Sequence, residues 1–296
     1  MMKSANREKL EQQGYCIIPG IFEQSMMEKL NQWSGKVLEN VSENHRTQFK
    51  AQGCRVDISD YPDFSEIIGH EALAALFDEL DLGGHVFSCG SIISKPPSSP
   101  ALFWHQDWWG WDDPMSYTDR IPQVNMMIYL SPTSADNGGL RVIPGSHRQK
   151  HSIHEIPGEY GSAMSRVEEP DHPLYQLWEE EYAIKVQPGD VVVKDARLLH
   201  GTYSNASNED RTLLSLNFNP NYSGLPAGMQ SRIKKIFMRE WKFDGHSVPN
   251  DLQMVQWPEL YRGKIEHLFP SCADDVTPLN FNFSPDLDLL SRAEHS

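Results

Sequence analysis

The segment WHQDWWG at 104–110 puts His105 and Asp107 two positions apart. On an extended chain, side chains two apart face the same way. One imidazole nitrogen and one carboxylate oxygen can then meet a single cation while Gln106 turns aside. That is two-thirds of the two-histidine, one-carboxylate facial set, which leaves three positions on an iron open to other ligands. Alone the motif is weak. A chain of 296 residues with 12 histidines and 41 acidic residues holds about one or two His-x-acid pairs by chance.

A third ligand must come from elsewhere, and PGDVVVKDARLLHGTYSNASNEDRTLLSLNF at 188–218 offers one. PGD reads as a turn and VVVKD as a strand. His200 sits just beyond, before a glycine. A lone histidine at a strand end is ordinarily structural, but here Arg211 opens the next β run. An arginine at the floor of a barrel with a hydroxyl nearby, which Thr202 supplies, can clamp a carboxylate through paired charge-assisted hydrogen bonds. Its place at the head of an apolar strand speaks against a surface ion pair.

The elements that must position these groups are short β runs. HVFSCGSIIS, QVNMMIYLS, GGLRVIPG, YAIKVQPGDVVVKD and RTLLSLNFN are separated by clusters of Gly, Pro, Asn, Asp and Ser. Such punctuation predicts a sandwich or barrel rather than a parallel α/β sheet. Asn125 and Met127 share one face of their strand and are expected to point into it. Ahead of this core, helices are predicted over 6–13, 24–40 and 71–80, with a short strand in YCIIPG. Met26, Met27, Leu30 and Trp33 recur at helical spacing, as core packing does. After 221 a basic helix is predicted in PAGMQSRIKKIFMREWKF. Its Arg232, Lys234, Lys235, Arg239 and Lys242 read as a solvated face or, alternatively, as a face that meets an anionic group such as a CoA phosphate. The expectation is one domain over 1–296: a helical flank at 1–84, a β core of about 85–220, and a C-terminal lid or helical segment at 221–296.

Four stretches, in order, resemble the phytanoyl-CoA dioxygenase-like (PhyH) oxygenases. They are GYCIIPGIF at 14–22, ISKPPSSPALFWHQD at 93–107, SADNGGLRVIPGSHR at 134–148 and LLHGTYSNASNEDR at 198–211. The resemblance implies a mainly β fold with flanking helices, a double-stranded β-helix or cupin-like jelly-roll barrel. It implies His105, Asp107 and His200 as ligands of Fe(II), and Arg211 and Thr202 as the grip on the distal carboxylate of 2-oxoglutarate. Gln106 resembles a residue that contacts this cosubstrate, Lys95 lies in a loop lining the same pocket, and Asn125 and Met127 are further candidates. Met127 stands where some members carry an aromatic residue. His147, in PGSHR, resembles part of a turn that closes the barrel and is read as structural.

The implied activity is O2-dependent oxidation, foremost hydroxylation, of a small molecule, with 2-oxoglutarate decarboxylated to succinate and CO2. The same iron can serve desaturation, epimerisation or cyclisation. A barrel that binds ligand or metal without turnover is the reading from another class. Asp107 disfavours halogenation, since halogenase relatives carry a small residue there. Trp104, Trp108, Trp109, Trp111 and Tyr117 read either as barrel packing or as an aromatic wall for substrate.

Composition sets the remaining bounds. A net charge of -15 repels nucleic acid and anionic membrane as partners, while a local basic pocket could still receive an acidic small molecule. Cys16, Cys54, Cys89 and Cys272 show no CxxC spacing, which argues against a disulfide scaffold or zinc cluster and suits a reducing compartment. MMKSANREKLEQQ lacks the apolar stretch of a signal peptide, and no run approaches a membrane span. A cytoplasmic location is expected.

Overall fold

The computed structural model describes residues 3–58, 61–158, 162–237, 279 and 282–293. The N-terminal part holds α1 (Ala5–Gln13), β1 (Tyr15–Ile18), α2 (Gln24–Glu39), α3 (Glu43–Gln48), β2 (Cys54–Asp57), α4 (Ser65–Ile68) and α5 (Glu71–Glu79). There follow β3 (Val86–Lys95), β4 (Leu102–His105), β5 (Val124–Tyr129), β6 (Leu140–Val142), α6 (Ser162–Arg166), β7 (Tyr182–Ala183), β8 (Val191–Asp195), β9 (His200–Thr202) and β10 (Arg211–Asn219). Then come α7 (Ala227–Phe237) and α8 (Leu287–Ala293).

Ser4 starts α1 by accepting from the Arg7 backbone N–H at 3.0 Å, satisfying a donor that the first turn leaves free. In α2, Met26, Met27 and Leu30 of the expected stripe are buried, together with Ser34 and Val37, while Trp33 packs partly buried against the same core.

The strands form two antiparallel sheets, a six-stranded one in the order β1-β8-β5-β10-β3-β2 and a four-stranded one in the order β4-β9-β6-β7. Strand alternation separates two cores. On β5, Val124, Met126 and Ile128 pack outward with α2 and α5, alongside Val191, Val193, Leu214, Leu216 and Phe218. Met127 and Tyr129 face inward with Val192 and Leu213, against Leu140 and Val142 of the smaller sheet. Two facing antiparallel sheets around an inner core make the jelly-roll that the sequence predicts. Each fully buried Leu, Val or Phe stabilises this arrangement by about 1.5–3 kcal/mol.

The large sheet extends beyond the expected 85–220, because β1 and β2 form its two edges. The sequence CRVD gives β2 no apolar run to mark it. The predicted basic helix is present as α7, but Arg232 is not on a solvated face. It is 1% exposed and lies over the Trp109 ring, 4.2 Å from its centroid. Arg239, Lys242 and Cys272 lie outside the described residues, as does most of the expected C-terminal lid. Among the described residues no helix is long and apolar enough to cross a membrane.

Candidate metal and cosubstrate site

β4 pairs with β9 in a register that sets His105 directly opposite His200. Their rings lie 4.1 Å apart at centroid. Just past β4, the backbone N–H groups of Asp107 and Trp108 both donate to the Ala196 carbonyl at 2.9 Å, which turns the Asp107 carboxylate back toward the two rings. One ligand atom from each of His105, Asp107 and His200 lies within 4.8 Å of the others.

The tautomers suit a cation. His105 Nδ1 lies 2.9 Å from the Phe103 carbonyl, and His200 Nδ1 lies 3.0 Å from the Leu198 carbonyl. A carbonyl only accepts, so both Nδ1 atoms carry the proton and both Nε2 lone pairs face inward. They approach Asp107 at 3.6 Å from Oδ1 and 3.4 Å from Oδ2. Burial pushes the pKa of both imidazoles below the usual histidine range, that of His200 furthest and with help from the Lys194 charge. Burial alone would raise the Asp107 carboxyl, but Lys194, His200 and His105 hold it well below the ordinary carboxylate range. Two neutral imidazole lone pairs facing an ionised carboxylate repel one another until a cation sits among them. The donor set therefore fits a divalent metal of the Fe(II) type.

Deeper in the barrel, β3 and β10 pair Lys95 with Arg211. Lys95 Nζ donates to the Ala51 carbonyl and to Thr202 Oγ1, both at 2.8 Å. Arg211 is 2% exposed, and its Nε donates to the Gly138 carbonyl at 3.1 Å. Its two terminal nitrogens make no hydrogen bond among the described residues, and neither side chain has a carboxylate partner there. The Tyr129 hydroxyl, fully buried near Arg211, also lacks a hydrogen-bond partner. A buried guanidinium, a Lys95 amine that burial and the Arg211 charge push well below the usual lysine range, and an orphaned hydroxyl, with no acid beside them among the described residues, fit a carboxylate from a ligand. Gly138 explains the NGG of the sequence motif. At φ +79° it presents its carbonyl to Arg211, and a Cβ there would lie 2.7 Å from Lys95 Cδ.

The remaining candidates separate. Gln106 is buried and donates to the Arg197 carbonyl, turned away from the metal ligands. Met127 lines the inner core beside Tyr129 and Leu213. Asn125 meets Lys194, whose Nζ donates to Asn125 Oδ1 at 2.7 Å and to Asp107 Oδ2 at 2.6 Å. Lys194 and Tyr129 were missed in the sequence. Both carried a signal in strand alternation, since Tyr129 shares the parity of Asn125 and Met127, and Lys194 that of inward-facing Val192.

The stretch before His200 is braced by a buried pair. Arg197 Nη2 donates to Asp195 Oδ2 at 2.7 Å, and its Nη1 reaches the carbonyls of Ser116 and Thr118. The PGSH turn is structural, as expected. Ser146 Oγ accepts from the Leu199 N–H at 2.9 Å, and His147 Nε2 sits 3.0 Å from the Glu11 carbonyl, away from the metal ligands. At Gly201 a Cβ would fall 2.7 Å from the Leu102 carbonyl oxygen, so only glycine lets β9 lie this close to β4.

Three of the four tryptophans at 104–111 pack. Trp104 lies under Arg141, Trp108 donates to Ser116 Oγ, and Trp111 is buried. Trp109 is half-buried, stacked between Trp108 and Arg232.

The chain is similar to several known proteins. The chain is 28% identical over 150 residues to the multifunctional dioxygenase ausE of Aspergillus calidoustus, covering 48% of this chain and 44% of that protein. It is 27% identical over 192 residues to the ectoine dioxygenase of Sphingopyxis alaskensis, covering 60% and 59%. It thus spans about half the length of the curated relatives it matches. The fold is similar to that of HygX from Streptomyces hygroscopicus, solved with nickel and 2-oxoglutarate bound, with a TM-score of 0.55 and 19% identity over 74% of this chain and 88% of that one. The model of the phytanoyl-CoA dioxygenase (PhyH) family matches residues 10–213, the stretch that carries every ligand candidate and ends just past Arg211, and the chain belongs to that family.

Proposed function

We propose that this protein is an Fe(II)- and 2-oxoglutarate-dependent dioxygenase that hydroxylates a small molecule. The observation that carries the reading is the convergence of two inward Nε2 lone pairs and the Asp107 carboxylate, beside the acid-free Lys95–Arg211 pair. His105, Asp107 and His200 would hold the metal. Arg211, with Tyr129, Thr202 and Lys95, would hold the distal carboxylate of 2-oxoglutarate. Held by these residues, iron and 2-oxoglutarate would supply the activation of O2 for oxidation of the substrate, with 2-oxoglutarate converted to succinate and CO2.

The chain's own residues do the positioning. The Phe103 and Leu198 carbonyls fix the imidazole tautomers. Lys194 holds Asp107 ionised. Arg211 sets the depth at which the keto acid seats. The inner wall of Met127, Val192, Leu213 and Leu140 excludes water and protects the reacting groups from side reactions. The test is succinate release by purified protein given Fe(II), 2-oxoglutarate, air and a panel of small molecules. Turnover should be metal-dependent, and H200A should lose it by at least roughly a hundredfold, as removal of a metal ligand does. Full activity in H200A would refute the ligand assignment.

A further inference from the structure

Lys194 is a buried cation in direct contact with a carboxylate that the proposed function assigns to a metal. It is 1% exposed. Its Nζ donates to Asp107 Oδ2 at 2.6 Å and to Asn125 Oδ1 at 2.7 Å. An ammonium only donates, so Asn125 must turn its oxygen to Lys194. Its Nδ2 then faces Asn217, donating to Oδ1, and Asn217 Nδ2 in turn points to Cys89 Sγ at 3.0 Å. The pairs Lys194–Asn125, Asn125–Asn217 and Asn217–Cys89 are register partners. The result is one polar row across β8, β5, β10 and β3, with every member facing the barrel interior and a single donor direction. Lys194 cannot swing aside without leaving the Asn125 oxygen unpaired and disordering that row.

We propose that Lys194 is a resident counter-cation for Asp107: its ammonium holds the carboxylate when no metal is bound, competes with an incoming divalent cation for it, and so sets the metal affinity of the site. This rests on the ligand assignment above. Without metal, the ammonium keeps a charged carboxylate compensated inside the barrel, where an unpaired one is costly. With metal, the same ammonium is a like charge close to the ion, and at the effective dielectric of a protein interior that repulsion is strong. Lys194 is thus a positioning residue whose loss should act in opposite directions on the two states, which a plain structural ion pair would not do.

The test uses the full chain stripped of metal and titrated with Co(II) by calorimetry, with thermal unfolding followed in parallel. K194M should lower the melting temperature of the metal-free protein yet bind Co(II) more tightly by roughly tenfold or more, in the range that outer-sphere partners of metal ligands command. Its melting temperature should also rise more on adding metal than that of the unchanged protein. K194R, which keeps the charge, should bind within about threefold of the unchanged protein, a difference too small to signal loss of a charge. If K194M folds poorly, K194Q keeps a donor and removes the charge, and the same gain in affinity is expected. Unchanged or weaker Co(II) binding in a folded K194M or K194Q overturns the proposal. So does failure of both to fold even with metal, which would make Lys194 a structural partner only. If the unchanged protein itself binds no Co(II), the ligand assignment fails instead.

Discussion

Replacing Arg211 by methionine removes the guanidinium while keeping much of its apolar stem. Nε is committed to the Gly138 carbonyl, and the two terminal nitrogens have no protein partner among the described residues. A single carboxylate could therefore take both. Hydrogen bonds to charged groups contribute about 1.5–3 kcal/mol each, and truncating one side of a buried charge pair costs about 2–5 kcal/mol. Lys95 stays in the neighbouring strand as a second donor, and the Tyr129 and Thr202 hydroxyls remain. That cushions the loss toward the lower half of the range. R211M should then weaken 2-oxoglutarate binding by about 3 kcal/mol, which is roughly a hundredfold in Kd. The assay is calorimetric titration of 2-oxoglutarate into Ni(II)-loaded protein, with Ni(II) affinity measured separately. Metal affinity should stay within about threefold, since Arg211 serves the distal carboxylate and not the ion. If R211M binds 2-oxoglutarate as tightly as the unchanged protein, Arg211 is not the carboxylate anchor.

Three further outcomes are expected. Gly201→Ala pushes a methyl into the Leu102 carbonyl oxygen between His200 and Thr202, so it should cost about 1–3 kcal/mol in stability and weaken binding of metal and 2-oxoglutarate together. Loss of only one of the two in titrations would contradict that geometry. Asp195→Ala strands the buried Arg197 guanidinium and should lower the unfolding free energy from urea melts by about 3–5 kcal/mol; a loss below about 1 kcal/mol would mean the pair does not brace this turn. Burial pushes His147 and His154 down to about 4, below the ordinary range, so the unfolded chain takes up protons that the fold refuses. Their stabilising effect is complete above about pH 6.5 and fades as pH falls toward 4, by about 2 kcal/mol each at pH 5. Urea midpoints that do not move between pH 7 and 5 would show that these imidazoles protonate freely in the fold.

The proposed metal ligands were only half legible in the spacing, which is weak by itself, and the family resemblance supplied the rest of the set. A step of two carried His105 and Asp107 to one side, and a histidine ahead of Gly201 lay at the end of a valine-rich strand. Arg211 was legible because a charge at the head of an apolar strand needs a reason. Lys194 was not, since a lysine inside VVVKD looks like an ordinary polar position until the partner strand reveals Asn125 opposite it. Tyr129 was not singled out, because its missing hydrogen bond is a property of three dimensions. Arg232 misled for a related reason: helical spacing cannot tell that an aromatic ring from the metal-ligand segment will cover one cation of a basic run.

The turn at Pro144–His147 reaches two places at once. Gly145 N–H donates to the Gln13 carbonyl, His147 meets Glu11 at the end of α1, and Ser146 holds the backbone that leads into His200. The opening helix is thereby wired to the last of the three ligands, although nearly the whole barrel intervenes in the chain. The His200 backbone, paired on one side with β4 and on the other with β6, thus has a third tie that runs through the turn to α1. A chain shortened to begin at Tyr15 would keep His105, Asp107 and His200 and the Ser146–Leu199 contact, and lose the Gln13 and Glu11 carbonyls on which the turn is seated.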